Sequence, residues 1–324
     1  MNSQIVIGGG SWGMGIAAAL TAANQDVGLL VRNPQTVQLL AEGKCRQLPN
    51  QPAVAALAAT IDPVCLRKAD LIYVVVPASA TRDTLYLIRD MANQEAGIVF
   101  AAKGLVAEGS SDGRLLPEIA AAALPDRQTG ILSGPSFADE VLAGLPAALT
   151  IAAQNPALID EVQQSFANSN LRLYGNDDPI GVAVGGTMKN VIAIAAGCAV
   201  GLGLGDNAKA AILTRGIAEI ARFAVAVGGR LESVYGLSGV GDLALTCAGP
   251  HSRNMAYGMA IGAGLEPDTR LAEGRHTVAA LARRAATMGL ELPITNAVDR
   301  VINHGDNLHD VVTALLARPT GQED

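Results

Sequence analysis

The chain has 324 residues, half of them hydrophobic and only 3% aromatic, with a formal charge of −7 at neutral pH. That length exceeds the usual size of one hydrophobic core and predicts two domains, built on Ala, Val, Ile and Leu. An acidic chain without a basic run excludes nucleic acid as an expected partner, although local positive groups can still receive a small anion.

The first predicted element is also the most telling. Gln4–Ile7 is an apolar, β-like run that ends in Gly8, Gly10 and Gly13, spaced G-x-G-x-x-G, and an alanine-rich helical pattern follows through Leu20. A strand, a glycine turn and a helix in that order form a dinucleotide-binding turn. Gly8 permits the tight turn, Gly10 lets the backbone approach a pyrophosphate, and Gly13 allows close helix–strand contact. The helix N-terminus offers unpaired N–H groups to the phosphates. A bare G-x-G-x-x-G also occurs in turns that hold nothing. Its place at the first strand, with a second strand next, favours the cofactor.

Asp26–Val31 reads as strand two and Pro34–Glu42 as a helix begun by proline. In the usual NAD site, strand two ends in an acidic residue that binds the ribose 2′-hydroxyl; here Arg32 stands in its place. A guanidinium pairs with a 2′-phosphate, which favours NADP(H), with NAD(H) possible. The plainer alternative is a solvated arginine at a strand end.

Ala69–Pro77 reads as a buried parallel strand, Ala80–Met91 as a helix and Gly97–Ala102 as another strand, with more strands at Thr129–Leu132, Ala147–Ala152 and Leu171–Tyr174. This alternation predicts a doubly wound, largely parallel sheet, with some later strands antiparallel. From about Pro179 the strand signals stop. Thr187–Val200, Asn207–Val227, Thr277–Met288 and Ile294–Asn303 have helical length and spacing. The expected fold is an α/β, Rossmann-like doubly wound domain over residues 1–180 and an all-α domain over residues 181–324.

Cys45, Cys65, Cys198 and Cys247 form no C-x-x-C pair, as expected of reduced thiols in a cytoplasmic protein. No charged segment followed by an apolar one opens the chain, so no signal peptide is expected. The most apolar stretch, Val191–Val200, is about half of what a membrane helix needs; it reads as a buried core helix, and no membrane insertion is expected.

Several islands carry residues suited to chemistry. Lys103 follows a buried strand at its carboxyl end, where open α/β sheets bind ligands; a solvated surface charge is the alternative. Lys189 sits in an otherwise uncharged stretch from Gly181 to Gly205. Desolvation there would lower its pKa and make it a usable proton donor or acceptor, against the alternative of snorkelling at a helix edge. Asp242, in Gly239-Val-Gly-Asp-Leu, suits a helix N-cap, a carboxylate orienting Lys189, or both. Ser252-Arg253-Asn254 precedes a helical pattern near Met255 and offers a fork-shaped cation and a helix N-terminus to a phosphate. Nucleophilic catalysis is not supported, because no Cys/His or Ser/His/Asp pattern occurs. No metal is expected either. His251, His276, His304 and His309 read as surface groups, of which His251, beside Ser252, is the one of interest.

Taken with Ser133–Ala138, Met188–Gly197, Gly205–Gly216, Gly239–Cys247 and Glu273-Gly274, these islands resemble the bacterial type of NAD(P)-dependent glycerol-3-phosphate dehydrogenase, in order and over almost the whole chain. The resemblance implies reversible hydride transfer between the nicotinamide and C2 of dihydroxyacetone phosphate, giving sn-glycerol 3-phosphate for phospholipid synthesis. It implies Lys189 as proton donor and acceptor, Lys103 near substrate and nicotinamide, and Asp242 as the carboxylate supporting the catalytic lysine. It implies substrate contacts at Gly134, Ser136, Ser252, Arg253 (the phosphate anchor) and Asn254, with Asn190 and Thr246 in addition. Around the cofactor it implies Gly8, Gly10, Ser11, Trp12, Gly13, Arg32, Lys103, Ala138, Arg253, Leu271 and Glu273. A homodimer is expected from the family. The chain departs from the family turn at Gly9, Met14 and Gly15, and over Lys44–Asp62. Two other readings compete: a related two-domain β-hydroxyacid dehydrogenase, and a non-catalytic nucleotide-sensing homologue.

Overall fold

Short runs of Val, Ile, Leu and Ala bounded by Gly, Asp, Asn and Pro set the strands, and alanine-rich segments set the helices, in a computed structural model that describes residues 3–45, 57–106, 113–268 and 272–317. The first half runs β1 (Ser3–Ile7), α1 (Ser11–Ala22), β2 (Asp26–Leu30), α2 (Pro34–Ala41), β3 (Ala58–Thr60), β4 (Leu71–Val74), α3 (Thr81–Met91) and β5 (Gly97–Phe100). A two-stranded ribbon follows, β6 (Leu105–Val106) with β7 (Arg114–Leu115), then α4 (Leu116–Ala123). β8 (Thr129–Ser133), α5 (Ala138–Leu142), β9 (Ala147–Ala153), α6 (Pro156–Phe166) and β10 (Leu171–Asn176) complete the sheet.

The eight-stranded sheet has the order β10-β9-β8-β5-β4-β1-β2-β3. Pairing is parallel from β3 to β8, antiparallel between β8 and β9, and parallel again between β9 and β10. β4 and β5 are buried along their whole length, as parallel strands covered on both faces must be. Alternate residues feed two cores. Leu71, Tyr73 and Val99 face the layer holding α1 and α6. Ile72, Val74 and Phe100 belong to a core that continues into the helices of the second half.

Those helices are α7 (Pro179–Gly201), α8 (Gly205–Ala226), α9 (Leu231–Tyr235), α10 (Asp242–Thr246), α11 (Arg253–Gly262), α12 (Glu273–Thr287), α13 (Pro293–Asn303) and α14 (Leu308–Leu316). A wider, π-type turn, Leu237–Gly241, leads into α10. α7 begins earlier than its periodicity predicts. Pro179 occupies its first turn, and the Asp178 carboxylate accepts the Gly181 N–H at 2.8 Å. By length and composition α7 could cross a membrane, but 94% of its most apolar window lies inside the protein. It is the central core helix.

α11 lies against α7 along a glycine seam. A Cβ at Gly258 would sit 2.1 Å from the Ile194 carbonyl oxygen, one at Gly197 2.3 Å from that of Met255, and one at Gly262 2.3 Å from that of Cys198. Backbone meets backbone here, and the contact fixes where the first turn of α11 falls relative to the middle of α7. Two smaller expectations change. The third long strand is shorter than Ala69–Pro77, and α11 starts at Arg253 rather than near Met255, because Ser252 caps it by accepting the Met255 N–H at 3.4 Å.

Candidate active site

The β1–α1 turn has the geometry its glycines predict. Gly8 has φ +130°, and a Cβ there would lie 2.3 Å from the Val75 carbonyl oxygen; a Cβ at Gly13 would lie 2.0 Å from that of Gly8. Gly10 is different: it is exposed, in extended backbone that any residue adopts, with nothing within 4 Å of a Cβ. It is also the N-cap of α1, and as glycine it gives that helix end no side-chain cap hydrogen bond. The first-turn N–H groups of Ser11, Trp12 and Gly13 lack intrahelical acceptors. A helix end so bared beside an open glycine fits a dinucleotide pyrophosphate. Trp12 and Ala138 meet nearby, since a Cβ on Gly15 would touch the Trp12 ring at 3.5 Å and the Ala138 carbonyl oxygen at 3.6 Å. Arg32 follows the end of β2 and is exposed. Leu271 lies outside the described residues.

The centre of the site is a carboxylate shared by two lysines. Lys189 Nζ donates to Asp242 Oδ1 at 2.5 Å and to Thr246 Oγ1 at 2.8 Å. Lys103 Nζ, arriving from the end of β5, donates to Asp242 Oδ2 at 2.5 Å and to the Gly134 carbonyl oxygen at 3.2 Å. Thr246 donates its hydroxyl proton to the Asp242 carbonyl oxygen at 2.6 Å, which leaves its oxygen to accept from Lys189. Asp242 is 1% exposed and Lys189 7%. Lys189 therefore does not snorkel, and Lys103 is not a free surface charge. The N-cap alternative for Asp242 also falls: Gly241 holds the cap position, and the Asp242 side chain serves the lysines.

Burial pulls the Lys189 ammonium down to about 8; Asp242 opposes that fall and Lys103 adds to it. The pair Gly185-Gly186, one turn before Lys189, makes room for the arrangement. A Cβ on Gly185 would lie 2.8 Å from the Ser238 carbonyl oxygen, and one on Gly186 2.7 Å from Ser133 Oγ and 3.5 Å from Lys103 Cγ. Glycine within an apolar helix was the signal that could have marked this approach.

The remaining residues expected at the substrate fall mainly in two turns. Ser136 donates to the Gly134 carbonyl oxygen at 3.2 Å, the same oxygen that Lys103 binds. Ser133 Oγ, beside them, is buried and has no hydrogen-bond partner among the described residues. On the helical side, Asn254 donates to Asn190 Oδ1 at 3.0 Å and accepts the Gly274 N–H at 3.0 Å. Asn254 therefore ties α11 to α7 and α12. Arg253, exposed at the first position of α11, acts electrostatically on the half-buried Glu273. Burial pushes the Glu273 carboxyl up, against the pull of Arg253, Lys103, Lys189 and His276.

Among the described residues no three His, Cys, Asp or Glu side chains gather as a metal site. Cys247 is buried, and its thiol is pushed up to about 12, so it remains a neutral packing group.

Two family models match the chain. The N-terminal model of NAD-dependent glycerol-3-phosphate dehydrogenase covers residues 4–159, and the C-terminal model covers residues 178–313. A glycerol-3-phosphate dehydrogenase [NAD(P)+] from Mesorhizobium japonicum is 42% identical over 98% of this chain and 93% of its own length. One from Chelativorans sp. is 41% identical over 98% of each chain. The crystal structure of glycerol-3-phosphate dehydrogenase from Coxiella burnetii superposes with a TM-score of 0.91 at 35% identity, covering 98% of this chain and 99% of that one. With the glycine turn, the paired lysines and full-length similarity in agreement, the chain belongs to the NAD-dependent glycerol-3-phosphate dehydrogenase family.

Proposed function

We propose that this protein reduces dihydroxyacetone phosphate reversibly to sn-glycerol 3-phosphate, using NADPH in preference to NADH. The observation that carries the reading is the Asp242 carboxylate bound at 2.5 Å by both Lys103 and Lys189. Bound NADPH supplies the hydride for C2 of the ketone. Negative charge develops on the ketone oxygen, and the Lys189 ammonium stabilises it and supplies the proton. A pKa of about 8 suits that exchange in either direction. Asp242 holds Lys189 in place, and Lys103 adds a second cation on the sheet side. Arg253, at the N-terminus of α11, anchors the phosphate with a fork of N–H donors. The Gly134 and Ser136 turn closes the other wall, while Ser252, Asn254, Asn190 and Thr246 hold these groups in register.

In this reading residues 1–180 form the dinucleotide-binding domain. Gly8, Gly10, Ser11, Trp12 and Gly13 cradle the pyrophosphate, and Arg32 meets the 2′-phosphate. Ala138 and Glu273 line the rest of the cofactor's path, and the family resemblance adds Leu271, which lies outside the described residues. Residues 181–324 form the helical catalytic domain. We further propose a cytoplasmic homodimer that supplies the glycerol backbone of phospholipids.

The test is nicotinamide oxidation by the purified protein with dihydroxyacetone phosphate, with NADPH and NADH run side by side. Turnover that requires the phosphate supports the reading. Turnover only with unphosphorylated β-hydroxyacids and their keto forms replaces it with the hydroxyacid dehydrogenase, and cofactor binding without any turnover replaces it with a sensor.

A further inference from the structure

His251 is the residue before the Ser252 cap of α11 and lies at the surface. Its ring is nevertheless held on two sides. It stacks on Phe137, with centroids 4.1 Å apart and planes 10° from parallel. Its Nε2 lies 3.2 Å from Asp139 Oδ1 and 3.1 Å from Oδ2. Phe137 and Asp139 flank Ala138 at the start of α5, directly after Ser136. The contact thus joins the two turns that bear the substrate-side groups, Gly134–Ser136 on the sheet and Ser252–Asn254 on the helices. The proposed chemistry makes no use of it.

Among the described residues, the glycine and asparagine restraints on α11 point into the helical half. The glycine seam fixes its later turns to α7, and Asn254 ties its first turn to Asn190 and Gly274. None of these sets the distance from Arg253 to the Ser136 turn across the cleft. His251 does, because one residue separates it from Arg253 and its ring is seated on α5.

We propose that His251 is a positioning residue: clasped by Phe137 and Asp139, it holds the Arg253 end of α11 against the Ser136 turn and sets the width of the cleft at the anionic end of the substrate. This rests on the reading of that substrate as a phosphate ester. The stack and the carboxylate contact are separate holds, so substitutions can remove them separately. His251→Ala removes both, whereas His251→Phe keeps the stack and loses Asp139.

The experiment combines kinetics and hydrogen exchange on the full chain. His251→Ala is expected to raise KM for dihydroxyacetone phosphate about fivefold to tenfold, with kcat and KM for NADPH within about twofold of the parent. It should also speed amide exchange at both ends of the clasp, residues 137–142 and 252–256, without added ligand. His251→Phe should recover part of both effects. Unchanged KM in the alanine variant would overturn the positioning role. Faster exchange confined to residues 252–256 would overturn the clasp itself. If the parent does not turn over dihydroxyacetone phosphate, the functional reading fails, and the exchange data still decide whether the two segments are joined.

Discussion

Lys103 and Lys189 bind the two oxygens of one carboxylate, each at 2.5 Å, although one lysine comes from the end of a strand and the other from the middle of the central helix. Asp242 is the common partner, and it is the most deeply buried of the three. Removing its charge would leave two cations facing each other in a desolvated site. Asp242→Asn should therefore cost about 3–5 kcal/mol of stability, measured by denaturant unfolding. It should also lower kcat on the order of a hundredfold, as expected when a general acid is left unsupported. Parent-like turnover would show that Lys189 needs no carboxylate.

As the proposed proton donor and acceptor, Lys189 must be protonated to donate and neutral to accept. With its pKa lowered to about 8, reduction of dihydroxyacetone phosphate should be full below that pH and fall as pH rises through it. Oxidation of glycerol 3-phosphate should do the reverse. Opposite limbs in the two pH profiles of kcat are the expected result, and limbs of the same sign would point to another group. Lys189→Ala should abolish turnover yet leave NADPH binding intact, read from the fluorescence of Trp12, the chain's one tryptophan.

Gly10 offers a clean separation of fold from cofactor binding. Its backbone is extended and its Cβ direction is open. Gly10→Ala should melt within about a degree of the parent, since a surface change of this kind is usually worth less than about 0.5 kcal/mol. The methyl would nevertheless stand where the pyrophosphate must approach, so the Kd for NADPH should rise about tenfold or more. A lowered melting temperature with normal binding would be the opposite pattern and would move the cofactor elsewhere.

In the proposed reading Arg32 decides between the two nicotinamide cofactors. A charge-assisted contact to the 2′-phosphate at an exposed position should be worth about 1–2 kcal/mol. Arg32→Ala should weaken NADPH by that amount and leave NADH nearly unchanged, by isothermal titration. Equal losses for the two cofactors would remove Arg32 from the 2′-phosphate site.

Local signals were legible before any coordinates. The glycine turn, the helix begun by Pro34 and the run of buried strands each depend on residues close in sequence, and each occurs close to where its pattern predicts. Lys189 was legible because a lone charge in an apolar helix needs a partner. Direction was legible only in outline: the sequence predicts some antiparallel later strands, but hydrophobic periodicity, which is the same in parallel and antiparallel strands, does not mark the reversal at β8–β9. The start of α7 at Pro179 was not legible, because Gly185-Gly186 reads as a helix breaker until the backbone that packs against it is known. The second lysine on Asp242 and the ring pair of Phe137 with His251 join distant segments, and nothing within either segment announces the other.

The glycine seam between α7 and α11 has a consequence for what the protein can accept. In the proposed reading α7 carries Lys189, which would meet the reacting oxygen, and α11 begins with Arg253, which would meet the far end of the substrate. At Gly197, Gly258 and Gly262 carbonyl oxygens and Cα atoms of the two helices meet directly, so no rotamer change at these positions can let them drift apart. The span from one end of the substrate to the other is therefore gauged by main-chain atoms. A molecule one carbon longer meets a fixed ruler, and a side-chain change along the seam can only add bulk and force the helices apart.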